Sequence, residues 1–161
     1  MIIYPAKLLS YKLPPAAKMI YIYMLLNPKK KNITKYLRRD LGMIDATISN
    51  AKNALEEQGL LHKSREAVAA IEGPCLYMPE SVFYSYEKTS TLKLTYSLLY
   101  TAKWHNLPLS SIVKNSGVHH YYLYRMTDKL IECGMLQISQ SETDDPEGIL
   151  RQRKPLIIRM L

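Results

Sequence analysis

Apolar residues recur at helical spacing in three segments of the first half of the chain. The predicted helices span residues 16–26, 33–41 and 45–58. Pro14 and Pro15 precede the first, and proline suits a first helical turn. Gly42 and Gly59 follow the second and third, where glycine commonly ends a helix. Three helices separated by short polar segments are therefore predicted.

The third predicted helix has two contrasting faces. Asp45 is expected to cap its first turn. An apolar stripe at helical spacing is formed by Ile44, Ile48, Ala51 and Leu55. At about 100° per residue, the opposite face carries Ala46, Ser49, Asn50 and Asn53. One face is thus expected in the core and the other in solvent.

Short strands are predicted after the third helix. Residues 60–64 and 75–78 have strand character, with residues 65–74 as the loop of a hairpin. Residues 1–12 are apolar and basic, which predicts a short strand or an N-terminal arm.

The segment 14–61 is repeated without a gap 75 residues later, at 89–136. The repeat keeps the kind of residue at nearly every apolar position and both glycines, so that Gly42 corresponds to Gly117. Helices are predicted at 91–105, 110–116 and 119–133, and strands at 135–141 and 149–160. The fold class is mostly α with small β-hairpins (α+β), in two tandem domains, 1–79 and 80–161. The join, residues 78–88, has no flexible Gly/Ser stretch, so we expect the halves to be docked.

Residues 35–55 resemble the helix-turn-helix of winged-helix DNA-binding proteins, particularly those of phage and plasmid replication and regulation. The resemblance rests on Leu37, the turn glycine Gly42, the triplet Thr47-Ile48-Ser49 and the ending Leu55-Glu56-Glu57-Gln58-Gly59-Leu60. Arg38 stands where that family usually has a small residue. The second copy keeps Gly117, but Tyr122-Leu123-Tyr124 replaces the small triplet. The resemblance implies two tandem winged-helix domains that bind DNA.

The charge balance agrees with an anionic partner. The chain has 161 residues and a formal net charge of +8, which favours nucleic acid first and an anionic membrane next. Its early apolar run, residues 19–26, is far shorter than the roughly 20 residues of a membrane helix. Cys75 and Cys133 are expected to be reduced thiols. We therefore expect a cytoplasmic protein without a membrane partner.

Two groups of side chains are candidates for DNA contact. The base-reading candidates are Thr47, which can also reach a phosphate, Ser49, Asn50, Asn53, Tyr121, Tyr124 and Arg125. The phosphate-contacting candidates are Lys29, Lys30, Lys31, Lys35, Arg38, Arg39, Arg151 and Arg153. The alternative for each group is an ordinary solvent-facing surface, and a tyrosine-rich third helix in the second copy also suits a protein interface.

The two predicted wings differ in character. Residues 66–72 are apolar with two acids, which suits docking on a partner or on the other domain better than phosphate contact. The second wing has an acidic tip, Asp144, Asp145 and Glu147, before its basic return strand.

Nothing in the sequence predicts catalysis. The six glycines form no phosphate-binding loop, and His119-His120 with Cys133 lacks zinc-ligand spacing. No enzyme activity, metal, cofactor or small-molecule substrate is expected. The prediction is a double-stranded DNA-binding protein, monomer favoured, whose two helix-turn-helix units would span about 34 Å of duplex. Its role would be a transcriptional regulator or a replication or conjugation accessory factor. The alternatives are a protein–protein interaction module and the DNA-binding part of a plasmid or phage replication initiator.

Overall fold

The computed structural model describes residues 1–62, 64, 66–139 and 157–160. In the first half, the elements are β1 (Ile2–Pro5), a 3-10 helix (Ala6–Ser10), α1 (Pro15–Leu26), α2 (Ile33–Leu41), α3 (Asp45–Glu57), β2 (Leu61–His62), β3 (Ala67–Val68) and β4 (Cys75–Met78). The second half follows with α4 (Glu80–Phe83), α5 (Ser90–Trp104), α6 (Leu109–Ser116), α7 (His120–Glu132), β5 (Leu136–Ser139) and β6 (Ile157–Met160). The predicted class is confirmed: the chain is mostly helical, with small antiparallel two-stranded sheets.

The helix C-termini lie where the glycines predicted them. Gly42 has a φ of +64°, a left-handed conformation that glycine adopts at little cost, and its N–H donates to the carbonyl of Arg38. Gly117 ends α6 in the same way, with a φ of +67° and a hydrogen bond to the carbonyl of Val113. The correspondence between the two glycines in the repeat is therefore structural.

The start of α3 differs from its prediction in two residues. Ile44, not Asp45, occupies the N-cap position, and no side chain caps the helix. Because the N-cap residue is extended rather than helical, helical spacing does not determine where its side chain points. Ile44 is 68% exposed, whereas Ile48, Ala51 and Leu55 are buried as predicted.

The predicted pairing of residues 60–64 with 75–78 is wrong. Strand β2 pairs with β3, and β4 pairs antiparallel with β1, at the other end of the first half. The reason is burial: Ile2, Tyr4, Leu76 and Met78 are all buried and lie on one face of the β1–β4 sheet. Pairing β4 with β1 completes that apolar face, whereas the short β2–β3 hairpin closes within residues 61–68.

The two halves share one core, which confirms the expected docking. The buried side chains form a single cluster that runs from Ile2 to Leu136. Helix α5 packs on both β4 and α1, and the 3-10 helix packs on α6. Tyr4, from β1, is hydrogen-bonded to Ser97 in α5. Contacts between the halves thus involve buried, partly polar side chains.

The two strands of the second wing pair as predicted, Leu136 with Met160 and Ser139 with Ile157. Its acidic tip (Asp144, Asp145 and Glu147) and the phosphate candidates Arg151 and Arg153 lie outside the described residues.

Candidate nucleic-acid interface

The solvent-facing side of α3 is polar and nearly free of carboxylates. Helix α3 packs on α1, which buries its apolar stripe. Ala46, Ser49, Asn50 and Asn53 are exposed, and Thr47 is half-buried at the flank. The nearest acidic residues of the helix stand at its two ends. The five predicted positions therefore lie together on one accessible surface, as the helical spacing requires.

Three lysines before and at the start of α2 carry unneutralised charge. Lys29 and Lys31 lie in the turn between α1 and α2, and Lys35 lies in the first turn of α2. All three are exposed, and none forms an ion pair with any residue that the structure describes. Of the predicted phosphate candidates, these three are electrostatically available.

Lys30 and Arg39 are instead tied to Asp40. Arg39 donates to both carboxylate oxygens of Asp40, at 2.5 and 3.2 Å, and Lys30 Nζ lies 3.9 Å from Asp40 Oδ2. The Arg39 hydrogen bond lowers the pKa of the Asp40 carboxyl; burial opposes that effect, and Tyr23 and Lys30 add to it. Both cations also stack over the ring of Tyr36, at 4.8 Å for Lys30 and 5.0 Å for Arg39. This cluster orients the two side chains and partly neutralises them.

Arg38 links α2 to α3 through an ion pair and does not pack between the two helices. Its guanidinium makes a bidentate ion pair with Asp45, with Nη2 at 2.6 Å from Oδ2. Both side chains are more than half exposed. The pair spans the turn between α2 and α3, so the arginine that replaces the usual small residue lies outside the helix contact. It also neutralises the acidic residue that begins α3.

The segment predicted as the first wing makes its hydrogen bonds with the first half of the chain. The Glu66 carboxylate accepts a hydrogen bond from the Asn32 N–H at 2.8 Å, and Tyr21 Oη donates to the Ala69 carbonyl at 2.6 Å. Val68 and Ile71 pack against the common core. The apolar character of this segment is explained by that packing, and one of its two acids hydrogen-bonds the N-cap residue of α2.

Helix α7 presents larger side chains at the corresponding positions. Tyr121 is 72% exposed, Tyr122 is 42% exposed, and Arg125 is exposed without an ion pair to any described residue. Tyr124 lies on the helix between them, and its side chain is outside the description. His119 caps the helix, its Nδ1 accepting from the Tyr121 N–H at 3.2 Å. The buried side consists of Leu123, Met126, Thr127 and Leu130.

The sequence pattern missed Ile44 as an accessible residue of this surface. The exposed side chain stands at the N-terminus of α3, the end that contacts bases in helix-turn-helix proteins. An apolar side chain there suits the methyl group of thymine. The signal for its exposure is its place between the turn and Asp45, where a residue caps the helix rather than forming part of it.

Comparison with known proteins gives no relative. No family model matches the chain, and no curated protein and no solved structure matches it at a significant level. Within the described part of the chain, no helix has the length and apolar character needed to cross a membrane. The same residues contain no group of three or more His, Cys, Asp or Glu placed to hold a metal ion.

Proposed function

We propose that this protein binds double-stranded DNA through two tandem winged-helix units. In this proposal α3 and α7 are the recognition helices and enter the major groove, and the role is that of a cytoplasmic transcriptional regulator or an accessory factor of replication or conjugation. The mechanism is binding without catalysis.

The observation that carries the proposal is the accessible face of α3. Ser49, Asn50 and Asn53 are exposed on a helix whose other side is fully packed. An asparagine amide can bond bidentately to adenine and a serine hydroxyl can contact several bases. A carboxylate would be repelled by the phosphates, and the one acid at the start of this helix, Asp45, is paired with Arg38.

The unpaired charge before and at the start of α2 supports the same function. Lys29, Lys31 and Lys35 come from the turn before α2 and from its first turn, and they have no acidic partner among the described residues. Helix-turn-helix proteins use such positions to contact the backbone while the second helix contacts bases. Lys30, Arg38 and Arg39 then contribute less to affinity, because each already has a carboxylate within ion-pair distance.

A protein-interaction module is the second candidate, favoured by the exposed tyrosines of α7. Tyr121 and Tyr122 present large amphipathic rings to solvent, and tyrosine is enriched where interfaces have their strongest contacts. In that case α7 would bind a protein partner and α3 alone would contact DNA.

The test is the salt dependence of binding to random duplex DNA. Counterion release predicts that log K falls with log salt, with a slope of about −0.9 for each phosphate neutralised. Lys35→Gln should make the slope less steep by about one contact. Lys103→Gln is the matched control, because it removes an equal charge from an exposed position in the last turn of α5, outside both helix pairs. Failure to bind any duplex at about 50 mM salt would refute DNA binding.

A further inference from the structure

Strand β4, placed above at the end of the first half, leads into the helices of the second half as β1 leads into those of the first, and the two strands form one sheet. In the sheet, Ile2 pairs with Met78 and Tyr4 pairs with Leu76, on either side of the central pair Ile3 and Tyr77. If Ile2 corresponds to Leu76 and Tyr4 to Met78, then the Ile2–Met78 pair and the Tyr4–Leu76 pair are equivalent contacts. Their burial agrees, because all four residues are buried.

That correspondence continues into the segments that follow the two strands. Lys18 Nζ donates to the Leu9 carbonyl at 2.7 Å, and Lys93 Nζ donates to the Phe83 carbonyl at 2.8 Å. Lys18 and Lys93 are equivalent in the helical repeat. Leu9 and Phe83 stand at the same distance along the chain from each other as Ile2 and Leu76. The repeat therefore includes a strand and a lead segment that the sequence comparison did not match, with one extra residue before α5.

The turn glycines make reciprocal contacts across the halves. A Cβ atom at Gly42 would lie 2.7 Å from Tyr86 Cδ1, and Tyr86 Oη donates to the Arg39 carbonyl. A Cβ atom at Gly117 would lie 2.9 Å from Ser10 Cβ. Each turn is thus approached by the lead segment of the opposite half.

In these contacts, a residue of the first half meets a residue of the second, and their equivalents meet in the same way. Such contacts are isologous, and they define a two-fold axis. The antiparallel β1–β4 pairing is centred on Ile3 and Tyr77, so the axis passes near that pair. Helices α1 and α5, which are equivalent in the repeat, also pack against each other. One chain therefore has an approximate two-fold symmetry like that of a dimer. The symmetry is incomplete, because the 3-10 helix packs on α6 whereas α4, its equivalent, makes no comparable contact with α2.

We propose that the two helix pairs, α2–α3 and α6–α7, bind two half-sites of inverted orientation on one duplex. This inference rests on the proposed DNA-binding function. Suppose that both helix pairs dock in the major groove in the same way. The rotation that superposes one helix pair on the other must then also superpose the two stretches of DNA backbone that they contact. The backbone has two-fold axes perpendicular to its length, and these reverse strand direction. A head-to-tail arrangement, which direct repeats require, would be heterologous and would not give reciprocal contacts.

The half-sites are inverted in orientation but different in sequence. Asn50 corresponds to Arg125 in the repeat. Asparagine favours adenine, and arginine favours guanine. Ser49 of α3 and Tyr124 of α7 are also equivalent in the repeat, and they add a second difference between the two half-sites. The complete site therefore does not appear palindromic, although the protein meets its phosphates in a two-fold arrangement. The spacing of the half-sites is fixed by the shared core.

The experiment begins with selection of a preferred site from random duplexes by the full chain. Asn50→Ala and Arg125→Ala then assign the half-sites, since each should abolish base preference in one half only. Both residues are exposed, so the variants should keep the thermal stability of the wild type, which a melting curve checks. Orientation is then tested with a swap variant, Tyr121→Ala/Tyr122→Thr/Tyr124→Ser/Arg125→Asn/Asp128→Asn, in which α7 carries the residues of α3 at the five equivalent positions.

With the swap variant both helix pairs should read the same bases, so selection should return two copies of the Asn50-dependent half-site in inverted orientation. Two copies in direct orientation would overturn the inference, as would selection by the wild type of a single half-site or of no preferred sequence. Failure to bind any duplex at low salt would instead refute the proposed function itself.

Discussion

At the scale of single residues, neighbouring cations of the first half differ in how far they are neutralised. Lys35 is exposed and unpaired among the described residues, whereas Arg38 and Arg39 each hold a carboxylate. Composition counts all three equally in the net charge of +8. The attraction felt by a polyanion comes mainly from the unpaired charges, so the net charge alone does not identify the contacting residues.

Asn50 and Lys35 provide a direct comparison between base and phosphate contact. Asn50→Ala should cost about 1–3 kcal/mol at a selected site and leave binding to random duplex almost unchanged. Lys35→Gln should weaken both kinds of binding alike, because phosphates are the same in every sequence. Fluorescence anisotropy with both duplexes measures the four affinities. Identical behaviour of the two variants would contradict the division of roles.

Asp40 is the residue whose charge the fold depends on most clearly. Its carboxylate, 18% exposed, accepts from Tyr23 and Arg39 and lies near Lys30. These partners lower its folded pKa, so the stabilisation is present above the unfolded value and is lost as the pH falls through the folded one. Asp40→Asn should therefore lower the free energy of unfolding by about 1 kcal/mol at pH 7.

Urea denaturation at several pH values checks that prediction. The difference between wild type and Asp40→Asn should shrink as the pH falls below about 4, the ordinary pKa of an aspartate, and should be lost below the lowered pKa of the folded carboxyl. Asp128→Asn is the control, because Asp128 is exposed and has no hydrogen bond or ion pair with a described residue. A difference independent of pH would show that packing, not charge, is responsible.

At the scale of elements, the turn between α2 and α3 is held in two ways. Gly42 supplies the left-handed conformation that ends α2, and its missing side chain leaves room for the ring of Tyr86. The pair of Arg38 with Asp45 spans the same turn on the surface. The relative position of α2 and α3 therefore depends on backbone conformation, on a surface ion pair and on the opposite half of the chain.

Gly42→Ala should be more destabilising than Gly59→Ala. Both glycines have a positive φ, of +64° and +69°, so alanine is strained by about 1–2 kcal/mol at either position. At Gly42 the added Cβ also displaces Tyr86 and breaks its hydrogen bond to the Arg39 carbonyl, worth about 0.5–1.5 kcal/mol, whereas Gly59 has open space around it. Urea denaturation measures the excess.

The double variant isolates the contact between halves. When Tyr86→Ala removes the ring first, Gly42→Ala should cost no more than Gly59→Ala. A persistent excess in that background would mean that Gly42 is needed for a reason other than the approach of Tyr86.

At the scale of the whole molecule, the two halves form one packed body. Strand β1 has its pairing partner in β4, and α1 buries part of its surface on α5. Tyr4 and Ser97 share a buried hydrogen bond across the same boundary. Separating the halves would expose apolar surface of both and leave polar groups of each without partners.

The chain should therefore unfold in one cooperative transition. Trp104, the only tryptophan, lies at the end of α5 and reports on the second half, whereas far-ultraviolet circular dichroism reports on the helices of both. The two signals should give the same midpoint in urea. Two separate midpoints, with the tryptophan signal following only one of them, would show that the halves are independently stable.

The sequence by itself determined what depends on neighbours along the chain. The periodicity of Ile48, Ala51 and Leu55 placed α3 and its buried side, and Gly42 and Gly117 placed two helix ends, because a helical turn is a local structure. The polar face of α3 followed from the same spacing. The repeat between the halves was also readable, since equivalent positions need similar residues to fill equivalent places in the core.

Only the tertiary structure decided which distant segments meet. The pairing of β4 with β1 joins strands more than 70 residues apart, and strand character does not specify a partner. The exposure of Ile44 and the Arg38–Asp45 pair depend on the conformation of a turn rather than on periodicity. The two-fold relation between the halves arises from these long-range contacts together. A repeat in sequence is equally compatible with a head-to-tail or a two-fold arrangement, and only the packing chooses between them.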